Sequence, residues 1–243
     1  MASTSETGHA KNVANFQDLI EFITGYGAIY NPSKTNLKLP QMVALKAAAD
    51  TSIADVIPKN TDYNTKVNLR AAAFSDVRGL ATRLIAALQA TDASDETIAD
   101  AKTFNNKIQG KGSSTPKAPL DPNNPPAKTI SASQQSYDQL IQHLSGLKSI
   151  LEAEPSYAPN EVDLQIATLD TKIADLIQTN DAVPPVYAAV NNARIARDKI
   201  LYTDENSLFE TAKDIKIYVK ALFGSTSPEF AQVKGIQIKK PKL

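Results

Sequence analysis

The chain has 243 residues, enough for one large domain or two of about 110, and its 26 Lys and Arg balance its 26 Asp and Glu, so no global field recruits nucleic acid or an anionic membrane. Aromatic residues make up only 6% and Trp is absent, a profile of helices packed through Leu, Ile, Val and Ala; the fold class expected is all-α. Cys is absent, which excludes a disulfide framework, a thiolate nucleophile and cysteine metal sites. With no hydrophobic segment at the N-terminus and no apolar run near 18 residues, the expected setting is cytoplasmic, with no membrane span.

Residues 1–11 are small and polar and are expected to be a disordered tail. From there Val13, Phe16, Leu19, Ile20 and Ile23 fall on one helical face, with Gly25 and Gly27 available to end the helix. A second apolar set runs through Leu37, Leu39, Met42, Leu45, Ala49, Ile53 and Val56. Pro40 suits the first turn of that helix, and Pro58 is expected to end or kink it. The pattern resumes from Tyr63 through Leu88, in one helix or two, and Ser94 followed by Asp95 and Glu96 predicts an N-cap for a short helix carrying Ile98, Ala101, Phe104 and Ile108.

Residues 110–130 are rich in proline, too much so for helix and too polar for a buried strand, and read as a linker. Beyond it the same order of features returns. Tyr137, Leu140, Ile141, Leu144 and Gly146 match Phe16, Leu19, Ile20, Ile23 and Gly25 at an offset of 121. The segment 171–180, TKIADLIQTN, matches 51–60, TSIADVIPKN, with six identities at an offset of 120. Ser227, Pro228 and Glu229 open a last helix as Ser94, Asp95 and Glu96 do, after Phe223 and Gly224 close the one before. The organisation expected is a duplicated unit of about four helices: copies at 12–109 and 131–236, the linker between them, and a basic tail at 237–243.

Chemistry is sparse. The two histidines are His9 in the tail and His143 on the first helix of the second copy, expected at a helix surface or core edge. No H-E-x-x-H, G-x-S-x-G, phosphate-loop or dinucleotide fingerprint occurs. No catalytic residue, metal site or cofactor is assigned, and the chain is read as a non-enzyme. Asn68 with Arg70 and Asn192 with Arg194 place an amide and an arginine two residues apart in both copies. Such arginines suit surface ion pairs or forked hydrogen bonds to neighbouring helices or to the other copy. In the C-terminal stretch VKGIQIKKPKL, Ile236 and Ile238 alternate ahead of Lys239, Lys240 and Lys242. That pattern fits a solvated tail, an arm added to a partner or, as the weaker option without aromatic stacking, a phosphate contact to nucleic acid.

Together, the stretch 192–197 (NARIAR), Tyr218 to Lys220, 223–228 (FGSTSP), 233–236 (VKGI) and 8–16 (GHAKNVANF) resemble a family of functionally uncharacterised, internally duplicated helical proteins associated with Bacteroidota. The resemblance implies no activity and supplies no site residues. Pro58, Pro184 and Pro185 depart from that pattern, in which a longer continuous helix is expected. The function expected is a structural or interaction module that bridges protein partners or self-assembles; the alternative is a small-ligand-binding bundle.

Overall fold

The computed structural model describes residues 4–111 and 135–241; most of the linker, and Lys242, lie outside the described residues. The chain is all-α, with no strand among those residues. Its helices are α1 (Thr4–Gly25), α2 (Leu39–Ala73), α3 (Val77–Gln89), α4 (Asp95–Ile108), α5 (Tyr137–Ala153), α6 (Ile166–Asp181), α7 (Val183–Asp198), α8 (Leu208–Phe223) and α9 (Pro228–Lys234). A five-residue π turn, Lys199–Thr203, extends α7.

Local chemistry sets many of the boundaries. Ser94, Ser136, Ser207 and Ser227 each cap a helix by accepting a backbone N–H three residues on. Gly224, at φ 95°, ends α8 in a conformation open to glycine. Pro184 and Pro185 sit in the first turn of α7, where their missing N–H groups separate it from α6 after a single residue.

One sequence expectation gives way, that residues 1–11 form a tail, and of the two outcomes expected at Pro58 the ending of the helix is not what occurs. Pro58 does not end α2, which runs through it to Ala73. Pro58 faces solvent, and Ala54, whose carbonyl loses its partner, is also exposed, so the orphaned group is open to solvent rather than buried. Residues 4–11 are not a tail but the opening of α1, because the buried face continues upstream through Asn12 and His9.

The chain divides into two compact units, residues 1–63 with 186–243 and residues 64–185; it leaves the first inside α2 and re-enters it inside α7. These are not the segments 12–109 and 131–236. Each core draws on both halves of the sequence, since the apolar faces of the early helices are buried by helices from beyond the linker.

In the first unit, Val13, Phe16, Leu19, Ile20 and Ile23 of α1 join Met42 and Ala49 of α2 to Leu208, Ala212, Ile215 and Val219 of α8 and Val233 of α9. Helix α1 packs on α8 and α9, and the 3-10 turn Thr35–Leu37 packs on α8. Tyr30 donates its hydroxyl to the Leu37 carbonyl at 3.0 Å, and burial, then Tyr218, raises its pKa.

In the second unit, Leu140, Leu144, Leu147 and Leu151 of α5 join Leu169 and Leu176 of α6 to Val77, Ala81, Leu84, Ile85 and Leu88 of α3 and Ala101 and Ile108 of α4. Helix α5 packs on α4 and α3, and the 3-10 turn Val162–Leu164 packs on α3. Tyr157 donates to the Leu164 carbonyl at 2.9 Å; burial, then Asp163 and Glu161, pushes its pKa up to about 12. Gly146 does not end α5 as Gly25 ends α1; it lies inside the helix, against the Phe104 ring.

Candidate functional site

In the first unit the buried face of α1 turns polar toward its N-terminal end. His9 and Asn12 continue the spacing of Phe16 and Ile23 and are 2% and 5% exposed. Both meet Tyr202, which the π turn holds inside the core. Tyr202 OH lies 2.7 Å from His9 Nδ1 and accepts from Asn12 Nδ2 at 2.9 Å. With the imidazole proton on Nε2 alone the hydroxyl donates to Nδ1; with a proton on Nδ1, in the other neutral tautomer or the imidazolium, the ring N–H donates to the hydroxyl. A π turn inserts an extra residue into the helix and re-aims the side chains that follow, and such turns recur at functional sites.

The C-terminal segment closes over this end of α1. Asn12 donates to the Lys239 carbonyl at 2.8 Å and accepts from the Lys239 N–H at 3.0 Å. Asn15 donates to the Gln237 carbonyl at 2.6 Å. Ile236 and Ile238 are half-buried against the first core. Lys216 Nζ donates to the Ile236 carbonyl, and burial lowers its pKa. The segment expected as a solvated tail or an arm for a partner is, through residue 241, an arm laid on the chain's own helix.

Between arm and helix lies a cleft of about 430 Å³. Its lining includes His9, Lys11, Asn12, Tyr202, Lys239 and Lys240 and, among the described residues, no carboxylate.

The paired arginines make different contacts. In the second unit Arg70 gives one bond to Asn180 Oδ1 at 3.3 Å and stacks 4.3 Å over the Tyr137 ring, while Asn180 donates to Asp138 at 2.8 Å. In the first unit Arg194 gives one bond to Asn60 Oδ1 at 3.0 Å. Each arginine thus meets the asparagine that ends the matched segment from the other half of the sequence, through a single bond rather than a fork. Asn68 and Asn192 are exposed. His143 is not at a surface: it is 6% exposed, Nε2 has no partner among the described residues, and burial and then Lys107 lower its pKa.

Sequence reasoning missed His9, Asn12 and Tyr202. The signal was the 3- and 4-residue spacing from His9 through Asn12 to Phe16, obscured because neither His nor Asn counts as apolar in a periodicity search. Among the described residues no helix is long and apolar enough to cross a membrane, and no group of three or more His, Cys, Asp or Glu is gathered to hold a metal ion. No family model, curated protein or solved structure matches this chain.

Proposed function

We propose that this chain is a non-enzymatic interaction module that uses related helical faces, one on each unit, to hold protein partners or further copies of itself. The observation that carries this reading is the matched pair of segments 51–60 and 171–180. They bury Val56 and Leu176 at the same position and turn Ile57 and Ile177 outward, 64% and 42% exposed. Beside Ile57 the surface is a shallow groove of about 510 Å³ whose apolar lining includes Ala10, Ala14, Ile53 and Ala54, with Asp18, Lys46 and Asp50 also lining it. A large aliphatic side chain held in water on a well-ordered helix gains free energy when covered, roughly 1.5–3 kcal/mol for a full burial.

Two substitutions, Ile57→Lys and Ile177→Lys, singly and together, test the reading. The melting temperature should hold, while the mass by light scattering, or the set of proteins retained in a pull-down, should change. Unaltered mass and unaltered partners in the double variant would refute it.

A second reading, a small-ligand-binding helical bundle, draws support from the cleft at His9 and Tyr202, whose size falls within the usual range for ligand sites.

A further inference from the structure

We infer that the cleft between α1, the π turn and the C-terminal arm binds a small molecule bearing an oxyanion group with two or more negative charges. This deepens the ligand-binding reading and rests on it.

Charge comes first. Lys11, Lys239 and Lys240 line the cleft with His9, and no carboxylate joins them among the described residues. None of these three lysines forms an ion pair among the described residues, so their ammonium groups are not neutralised by a neighbouring carboxylate there. In a chain whose charges balance overall, this gathers positive charge at a concave surface. Ammonium groups close to an anion attract it weakly in water and several times more strongly where the walls exclude solvent.

The floor of the cleft is polar at a cost. In the second unit Tyr137 of α5 meets Phe74 at 4.7 Å and 68°. The His9 ring meets the Tyr202 ring at 5.5 Å, with Asn12 bonded to the Tyr202 hydroxyl. An aromatic pair fills such a position without burying hydrogen-bonding atoms, and buried imidazole, hydroxyl and amide groups contribute net stability only when fully satisfied. Here the imidazole, hydroxyl and amide bond one another and form a polar floor beside the lysines that line the cleft.

The arm supplies the rest. Its hold on α1 uses the main chain of Lys239, at 2.8 and 3.0 Å from Asn12, and of Gln237. The side chains of Lys239 and Lys240 are therefore spared for the cleft they line. Ammonium-to-oxyanion hydrogen bonds are short and about twice as strong as neutral ones, and the volume admits more than an inorganic ion.

Isothermal titration calorimetry of the full chain with inorganic phosphate and with citrate, at ionic strength matched by sodium chloride, tests the assignment. We expect saturable binding at one site, weakened at least about tenfold in Lys239→Gln/Lys240→Gln, with the variant's melting temperature unchanged because the main-chain clasp remains. No saturable heat with either anion, or equal binding by the variant, overturns it. If an uncharged compound from a metabolite set stabilises the chain while phosphate and citrate do not, the anion assignment fails and the ligand-binding reading stands. If no compound of either kind binds, both fail. Phosphatidylcholine vesicles with and without phosphatidic acid form the lipid arm, and sedimentation of the chain with acidic vesicles without titratable binding of free phosphate would overturn a small-molecule ligand.

Discussion

Asn12 holds Lys239 by its main chain from both sides, giving a hydrogen bond to the carbonyl at 2.8 Å and taking one from the N–H at 3.0 Å. The same amide reaches Tyr202 OH at 2.9 Å, so one side chain fastens the arm and completes the buried polar group. Asn12→Ala removes all three bonds and leaves the Lys239 main-chain groups to find water. Removing a partner of this kind costs about 2 kcal/mol, or a fall of about 6 °C in Tm for a chain of this size. Limited proteolysis should then cut first within residues 236–241, and a variant with unchanged Tm and a resistant arm would show that the clasp does not hold it.

His143 gives the chain a pH dependence. Its pKa is lowered by burial and then by Lys107, so the folded state binds its proton less readily than the unfolded chain does. Stability from this group is therefore full above the unfolded value of about 6.5 and is lost as pH falls below it toward the folded value. The melting temperature should drop between pH 7.5 and 5.5. In His143→Phe, which fills the site without titrating, the drop should be smaller; an equal drop would exclude His143 as its source.

Helix type and helix ends were legible because they depend on neighbours in sequence. Ser94 and Ser227 cap as expected, and Gly224 closes α8. What periodicity cannot convey is which helix covers a given face. The faces of Phe16 and Leu144 were visible, but not that α1 turns to α8 and α9 while α5 turns to α3 and α4. Register was ambiguous for a related reason. Tyr30 and Tyr157, with the 3-10 turns that follow them, lie 127 residues apart, whereas the matched segments 51–60 and 171–180 lie 120 apart. The difference of seven is close to two helical turns, so either alignment keeps the same face inward. The cleft was illegible because its members, His9, Tyr202 and Lys239, come from opposite ends of the chain.

Gly146 and Phe104 should be strongly coupled. A Cβ at 146 would sit 2.6 Å from Phe104 Cζ, so the ring must move out of the α4 and α5 contact. Overpacking of this kind costs roughly 1–3 kcal/mol, against about 1 kcal/mol that alanine gains over glycine inside a helix. Gly146→Ala should therefore destabilise the chain, yet stabilise it when Phe104→Ala is already present. Urea denaturation of the four members of the cycle checks this, and additivity within about 0.5 kcal/mol would remove the contact from the account.

A chain cut in the linker should not come apart. A protease recognition sequence inserted between Lys117 and Ala127 divides the polypeptide, but each resulting fragment carries part of both cores: α1 and the start of α2 share one core with α8 and α9, and α3 and α4 share the other with α5 and α6. Separation would expose the apolar faces of α1, α3, α5 and α8 together, a loss far larger than the entropy gained by freeing the fragments. After cleavage the two fragments should co-elute in gel filtration at the intact position, melt in one transition at a temperature that rises with concentration, and fail to fold cooperatively when expressed singly. Two independently folded fragments eluting apart would instead restore the division at the linker and overturn the shared cores.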